Sequence, residues 1–355
     1  MPAVSPLCDS QWAIPTPALP LNSTEVLTAA QVAEFRQGAG YLVLDGVLPP
    51  QIVAAARSEI VGLFPDASDD NPLPPFAGQG NMISETRPEQ FLFYPFDAGP
   101  VANAVTVHPR ILRMCAQLLG TRDMRIQQSE LWYVLAQPPG PSAGPDLLPQ
   151  SPGLGRAKYG VYDQPQPTEP GEIWQWAGEQ GHHIDTCSNV VPVGDSLIEQ
   201  VQLILFLDDV EECAGATATI PRDFSPAAAD PTTSTRGRSK QTHPEIYAHE
   251  RQVRFKPGTM LLWRQDTFHR GTPVREGSLR RVHGIVYRRE ECSWTQDNVG
   301  CDPSLLSALD PWQRSVIGFP KLDDPYWRLP GAVELVGDRY PEMDMAPYKE
   351  AGARL

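Results

Sequence analysis

The chain has 355 residues, with 29 Lys and Arg against 43 Asp and Glu, which gives a formal net charge of -14. This acidity argues against a protein that binds nucleic acid or an anionic membrane through bulk charge. No stretch approaches the roughly 20 apolar residues of a membrane-spanning helix. The segment from Met1 to Leu21 lacks the basic and apolar regions of a secretory signal. We therefore expect a cytoplasmic protein with no nucleic-acid partner and no membrane span.

The numbers and positions of the cysteines and prolines further limit the kind of protein that the sequence can encode. Six cysteines are spread along the chain, and no two form a Cys-x-x-Cys pair. A disulfide framework is unusual at this length, and a structural zinc site would need closer spacing, so we interpret the cysteines as reduced thiols. The 38 prolines predict long ordered loops, because aromatic and aliphatic residues continue between them.

The first third of the chain predicts helices. Thr28-Ala29-Ala30-Gln31 has the pattern of a capping box, and Gly38 and Gly40 end the helix that follows it. Two further helices are predicted, one that opens at Pro49 and Pro50 and one from Pro109 to Leu119, closed by Gly120. Between them, 41–44 predicts a short strand and 65–99 a long loop.

From Met124 the pattern changes to strands. Alternation predicts Ile126, Gln128, Glu130 and Trp132 on one face of the first strand. Later strands are predicted at 189–193, 198–207, 216–220, 253–255, 259–264 and 281–287. One C-terminal helix is predicted from Pro303 to about Ile317, with loops after it.

These elements predict one α+β domain with a mainly β core, a sandwich or a barrel. We divide it into a helical N-terminal part (1–120), a core (121–290) and a C-terminal extension (291–355). Two insertions interrupt the core, a Pro-rich one at 137–172 and a polar one at 224–249. The first is too long for an ordinary connection, which indicates an active-site lid or a mobile insertion.

The sequence Gly181-His182-His183-Ile184-Asp185 is the main candidate for chemistry. A histidine and a carboxylate two residues apart on an extended segment point to the same side, so His183 and Asp185 can bind one metal. A third ligand from a later strand would complete the two-His-one-carboxylate triad of non-haem Fe(II) oxygenases. His-x-Asp alone is a weak signal, because it occurs by chance in many chains.

A second group of residues strengthens this interpretation. His269 follows the predicted strand 259–264, and Arg280 opens the next apolar run. A buried arginine near an open ferrous site can hold the far carboxylate of a 2-oxo-dicarboxylic acid with its bidentate fork. Ser278 could share its face as a helper, whereas alternation sends Arg281 to the other face.

The chain resembles the phytanoyl-CoA dioxygenase family of Fe(II)/2-oxoglutarate oxygenases along most of its length. The matching segments are 27–48, Ile126-Gln127-Gln128-Ser129-Glu130-Leu131, His183-Ile184-Asp185, Leu205-Phe206-Leu207-Asp208-Asp209, Ala214-Gly215-Ala216-Thr217 with Ile220-Pro221, and Lys256-Pro257-Gly258-Thr259 with His269 and Arg280. The resemblance implies a double-stranded β-helix, or jelly roll, with helices packed on one sheet. It also implies that His183, Asp185 and His269 bind iron and that Arg280 binds 2-oxoglutarate.

The same resemblance implies an enzyme that uses Fe(II), 2-oxoglutarate and O2. It would hydroxylate or otherwise oxidise a C–H bond of a small-molecule metabolite or an acyl-CoA, and would release succinate and CO2. Gln128 and Thr217 are further candidates to line the 2-oxoglutarate pocket. Because Asp185 is present, hydroxylation is favoured over halogenation, since halogenating relatives lack that carboxylate.

Two departures leave the substrate open. Arg222-Asp223-Phe224 stands where the family has Gly-Ser-His, and the Pro-rich segment is longer than usual. Three other functions stay open: a protein side-chain hydroxylase, a non-catalytic jelly-roll binding protein, and a cupin-type enzyme that needs no 2-oxoglutarate. The last would have no use for Arg280.

Overall fold

The fold was obtained as a computed structural model. It describes residues 11–63, 82–83, 89–93, 99–135, 182, 184, 198, 200–209, 216–224, 244–272, 279–290, 307–328 and 330–354. The predicted strand 189–193 and most of both predicted insertions lie outside these residues. No helix among the described residues is long and apolar enough to cross a membrane.

Eight α-helices lie in the described parts of the chain. They are α1 (Ala29–Gln37), α2 (Pro50–Leu63), α3 (Pro100–Thr106), α4 (Pro109–Leu119), α5 (Pro244–Tyr247), α6 (Pro311–Val316), α7 (Ala332–Arg339) and α8 (Ala346–Arg354). Short 3-10 helices occur at Arg222–Phe224 and Pro325–Arg328.

The predicted helix signals at both ends of α1 and α4 are confirmed. The Thr28 hydroxyl accepts from the Gln31 backbone N–H at 3.2 Å, and the Gln31 side chain accepts from the Thr28 N–H at 2.9 Å. Gly120 ends α4 at φ 75°, in the left-handed region that glycine adopts without strain. These local hydrogen bonds satisfy backbone groups that a helix end would otherwise leave unpaired.

Twelve strands are described. They are β1 (Gln11–Ala13), β2 (Thr16–Pro17), β3 (Tyr41–Asp45), β4 (Met82–Ile83), β5 (Glu89–Phe93), β6 (Met124–Leu135), β7 (Gln200–Phe206), β8 (Thr217–Thr219), β9 (Arg251–Val253), β10 (Met260–Arg264), β11 (His269–Gly271) and β12 (Leu279–Arg289).

The strands form two sheets. The major sheet has the order β2-β3-β10-β7-β12-β6-β5-β4, and the minor sheet has the order β1-β9-β8-β11. From β6 onward the chain passes repeatedly between them: β6 and β7 lie in the major sheet, β8 and β9 in the minor, β10 in the major, β11 in the minor and β12 in the major. This is the winding of a jelly roll, so the predicted α+β class, with a double-stranded β-helix core and flanking N-terminal helices, is confirmed.

Two hydrophobic clusters show which residues lie on each face of the major sheet. The inner cluster joins Ile204, Phe206, Trp263 and Val282 of the major sheet to Val253 of the minor sheet. The larger outer cluster joins the helices, α4 above all, to the opposite face of the major sheet through Leu203, Leu205, Leu262 and Ile285. The alternation of these residues along β7 and β12 therefore defines an inner face, between the sheets, and a helix face.

One sequence prediction about β6 is wrong because of a β-bulge. Gln128 pairs with Val286, whereas Ile126 pairs with the very next residue of β12, Tyr287. The additional residue, Gln127, reverses the alternation at this point. Ile126 therefore packs in the outer cluster with Tyr287, while Gln128 lies on the inner face.

Several regions contain structure that the sequence did not predict, among them β1 and β2 near the N-terminus and α5 within the polar insertion. The predicted loop 65–99 contributes β4 and β5 to the edge of the major sheet. The helix α3 follows it, and α7 and α8 occupy a C-terminal part predicted as loops. The predicted helix from Pro303 to about Ile317 is described in part: residues 303–306 lie outside the described residues, 307–308 are helical, and α6 begins at Pro311 behind the N-cap Asp310.

Candidate functional site

His269 lies at the start of β11, where the chain has just crossed from the major to the minor sheet. Its side chain is buried, and its ring lies 4.7 Å from that of Trp263 on β10, centroid to centroid. The contact joins the two sheets, so His269 faces the interior between them. Its Nδ1 lies 3.1 Å from the backbone carbonyl of Thr267. Because a carbonyl only accepts, Nδ1 donates this hydrogen bond, and in the neutral form of the ring Nε2 is then the nitrogen with a lone pair.

The register of the minor sheet places threonines beside this histidine. His269 pairs with Thr219, and Gly271 pairs with Thr217. Paired residues of antiparallel strands share a face, so Thr217 and Thr219 lie on the inner face with His269. Thr217 is buried there. Arg270, between the two paired positions, lies on the opposite, outer face of the minor sheet.

Arg280 lies on the inner face of the major sheet. It is buried at the start of β12, opposite Val134 of β6, and shares its face with Val282 of the inner cluster. Arg281 lies on the helix face, where its Nη1 is 3.2 Å from a carboxylate oxygen of Asp208. The sequence prediction that alternation separates the two arginines is therefore confirmed.

Gln128 lies on the same inner face as Arg280, farther along the sheet. It is partly buried and pairs with Val286, which in turn pairs with Gln202, the neighbour of Trp263. Gln128 therefore lies in the same row of paired residues across the sheet as Trp263. Arg280 lies six residues before Val286 on β12, and so in a different row. The indole N–H of Trp263 has no hydrogen-bond partner among the described residues. The inner face thus combines polar groups at several levels along the core.

Three predicted site residues, His183, Asp185 and Ser278, lie outside the described residues. Within the described ranges, no group of three His, Cys, Asp or Glu side chains is close enough to hold a metal ion. The neighbours of the first two are described. His182 and Ile184 are both fully or almost fully buried, and both contact residues of the outer face of the minor sheet.

No pattern in the sequence predicted a buried ionic cluster that lies on that outer face. The Glu250 carboxylate receives the Arg270 guanidinium in a bidentate grip, at 2.6 and 3.0 Å, and the Nε2 of His182 lies 2.8 Å from it. Tyr247 packs against both partners, with its ring 4.8 Å from the His182 ring and 5.2 Å from the Arg270 guanidinium carbon. We call these four residues the Glu250 cluster.

The Glu250 carboxyl is held ionised by its partners. Burial alone would raise its pKa, but the hydrogen bond from His182 and the charge and hydrogen bonds of Arg270 outweigh burial and lower the pKa to about 2. Since an ionised carboxylate only accepts hydrogen bonds, His182 Nε2 must be a donor.

A second buried polar group lies on the helix face of the major sheet. His283 Nε2 is 2.9 Å from the Ser129 hydroxyl and 3.2 Å from that of Thr106, and the two hydroxyls are 2.9 Å apart. Complete burial lowers the pKa of His283 to about 3, so the ring is neutral. This group lies behind the sheet, away from His269.

No protein-family model matches the chain, and no curated protein sequence matches it. The resemblance to the phytanoyl-CoA dioxygenase family therefore stays a prediction.

Solved structures do match. EctD from S. alaskensis, crystallised with 2-oxoglutarate and 5-hydroxyectoine, is 17% identical, covers 80% of this chain and 81% of its own, and has a TM-score of 0.48. The non-heme alpha ketoglutarate dependent epimerase SnoN from nogalamycin biosynthesis is 17% identical, with coverage of 77% and 90% and a TM-score of 0.47. HygX from Streptomyces hygroscopicus, with nickel and 2-oxoglutarate bound, is 14% identical, with coverage of 74% and 87% and a TM-score of 0.45. At TM-scores this low, the fold assignment depends on the chain's own strand order.

Proposed function

We propose that the protein is a non-haem Fe(II)- and 2-oxoglutarate-dependent oxygenase of the phytanoyl-CoA dioxygenase type. It oxidises a C–H bond of a small-molecule metabolite or an acyl-CoA, with succinate and CO2 as co-products. The observation that carries the proposal is the position of the His269 side chain together with its hydrogen bond to the Thr267 carbonyl. The side chain lies on the inner face of a jelly roll, and the Thr267 carbonyl fixes its tautomer so that Nε2 can bind a metal.

The other two ligands of the proposed metal are His183 and Asp185. Their support is the orientation of His182 and Ile184, which both lie on the outer face of the minor sheet. If the chain is extended here, the side chains at 183 and 185 would point the opposite way, toward the side that His269 faces. Two imidazoles and one carboxylate are the donor set of a non-haem Fe(II) site with three open positions.

The proposed 2-oxoglutarate site lies on the inner faces of both sheets. Arg280 would hold the far carboxylate of the co-substrate, because its fork suits bidentate binding and its burial strengthens the charge interaction. Thr217 would donate a hydrogen bond from the facing sheet, and Gln128 and Ser278 would line the pocket. The hydrophobic inner cluster would exclude water from the reacting groups.

Iron and 2-oxoglutarate together would supply the oxidation of an unactivated C–H bond with O2. The chain's own contribution is position and exclusion of solvent. The Thr267 carbonyl holds the proton of His269 at Nδ1, and Arg280 orients the co-substrate along the inner face.

An anaerobic titration tests the assignment. Apoprotein is titrated with Fe(II) and then with 2-oxoglutarate, and the visible absorption spectrum is recorded. We expect a weak metal-to-ligand charge-transfer band in the wild type. The band should be absent from His183→Ala and His269→Ala, because each removes a ligand, and should need more 2-oxoglutarate in Arg280→Ala.

The control is His249→Ala, which removes a histidine that stacks on Phe224 instead of facing the inner side. It should give the wild-type band. A wild type that binds iron but shows no band with 2-oxoglutarate would contradict the proposal and favour a cupin-type enzyme. A wild type that binds no iron would favour the non-catalytic binding protein.

A further inference from the structure

The Glu250 cluster joins two segments that are far apart in the sequence. His182 belongs to the segment before β7, and Arg270 belongs to β11. Glu250, just before β9, accepts hydrogen bonds from both at 2.6 to 3.0 Å. All three side chains are almost fully buried. The cluster is therefore a dry, charge-assisted connection across the outer face of the minor sheet.

These two segments are the ones that carry the proposed metal ligands. His182 immediately precedes His183, and Arg270 immediately follows His269. Because side chains alternate along extended segments, a residue fixed on the outer face determines the backbone position of its neighbour on the inner face. The cluster thus holds the immediate sequence neighbours of two of the proposed ligands, His182 beside His183 and Arg270 beside His269.

We propose that Glu250 is a positioning residue for the metal site, because its carboxylate ties His182, the neighbour of the proposed ligand His183, to Arg270, the neighbour of the proposed ligand His269. This inference depends on the proposed function. Glu250 touches neither metal nor substrate in this role. It acts through the backbone of the two ligand segments, and Tyr247 limits the movement of both partners by packing on them.

The hydrogen-bond pattern makes the cluster sensitive to loss of one oxygen. Both His182 Nε2 and Arg270 Nε point at Glu250 Oε2, and Arg270 Nη2 points at Oε1. In Glu250→Gln, the amide NH2 faces at least one of these donors whichever way the amide is turned. The variant keeps the shape of the side chain but breaks the connection.

The test is the Fe(II) affinity of the protein, measured anaerobically by calorimetry, together with the charge-transfer band in the presence of 2-oxoglutarate. Changes behind metal ligands typically weaken binding by about 10- to 100-fold. We expect Glu250→Gln to bind Fe(II) about tenfold more weakly and to shift the band. The measurement is made at a temperature at which circular dichroism shows the variant folded, so that loss of stability alone does not change the affinity.

Two further variants make the test specific. Glu245→Gln removes the same charge from an exposed position on α5 and should bind Fe(II) as the wild type does. Arg270→Lys keeps the charge but loses the bidentate fork, so it should bind Fe(II) more weakly than the wild type but less weakly than a variant that loses the connection altogether. This variant carries the test if Glu250→Gln does not fold.

Wild-type affinity in a folded Glu250→Gln or Arg270→Lys protein, even one with a lower melting temperature, would overturn the inference and leave the proposed function intact. A wild-type protein that binds no Fe(II) would overturn both. Weaker binding and a shifted band in the two cluster variants, with no change in Glu245→Gln, would support the positioning role.

Discussion

At the residue scale, His283 makes the stability of the protein depend on pH. Its pKa is lowered to about 3 by burial, against an ordinary value of 6.5. Between these values the unfolded chain binds a proton that the folded chain does not. The free energy of unfolding therefore falls as the pH decreases through this window, and the loss is complete once both states are protonated.

This linkage can be measured by urea unfolding. From pH 7 to pH 5 we expect His283 to account for a loss of roughly 2 kcal/mol, from a shift of about 1.4 kcal/mol per pKa unit. The variant His283→Gln should lose less over the same interval. Glu250 does not interfere there, because its carboxyl, with a pKa of about 2, contributes a loss only below its ordinary value of 4.5. Equal losses in the two proteins would contradict the assignment.

Individual residues also show which features of the structure the sequence could predict and which it could not. The separation of Arg280 from Arg281 was predictable because strand alternation is a local rule. The same rule failed at Ile126, because a bulge residue interrupts it and no sequence signal marked Gln127 as the bulge. Glu250 was missed for a different reason, since its partners are 68 and 20 residues away along the chain.

At the element scale, α3 is stabilised by a residue of another helix. Its N-cap Gly99 makes no side-chain hydrogen bond. Instead, the Glu59 carboxylate of α2 accepts from the backbone N–H groups of Val101 and Ala102, at 2.9 and 2.6 Å. A carboxylate at a helix N-terminus also interacts favourably with the helix dipole. The sequence could not predict α3, because its cap comes from 42 residues earlier.

Removal of that cap should be measurable. We expect Glu59→Ala to lower the free energy of unfolding by about 1 to 2 kcal/mol, the usual cost of a lost N-cap. Chemical denaturation checks this. Glu25→Ala, at an exposed position outside the helices, is the matched control and should change stability by less than about 0.5 kcal/mol. A Glu59→Ala protein as stable as the control would show that α3 needs no cap.

By contrast, α1 and α4 were predictable because their end signals are local. Thr28 and Gln31 are within one turn of each other, and Gly120 directly follows the last residue of α4. Strands β4 and β5 had no such signal, and their place at the edge of the major sheet depends on pairing with β6. Helices with local end signals and strands with long apolar runs were therefore found, whereas the short strands β4 and β5, which carry neither signal, were not.

At the scale of the whole molecule, the proposed ligands should stabilise both sheets together. A ligand that binds only the folded protein raises its stability by about 2.7 kcal/mol at a hundredfold excess over its Kd. For a chain of this length, that corresponds to a rise in Tm of about 3 °C. We expect this rise when a redox-inert divalent metal and 2-oxoglutarate are added together, as measured by calorimetry.

The same calorimetric measurement of Tm, made on His269→Ala with and without the two ligands, is the control. This variant loses a metal ligand, so its Tm should not rise with the two ligands, whatever its own starting value. An equal rise in the variant would mean that the ligands bind somewhere other than the inner face.

The order of strands in the major sheet has a consequence for synthesis on the ribosome. β3 pairs with β10, some 220 residues later in the chain, and β6 pairs with β12 over eleven positions. Arg125 and Trp312 further tie β6 and its neighbourhood to the C-terminal extension, through the carbonyls of Ser315 and Arg122. The amino-terminal half of the nascent chain thus emerges without the strands and helix that complete its core. The major sheet can therefore be completed only after β12 and the C-terminal extension have left the ribosome, and until then the apolar strands of the amino-terminal half lack their partners.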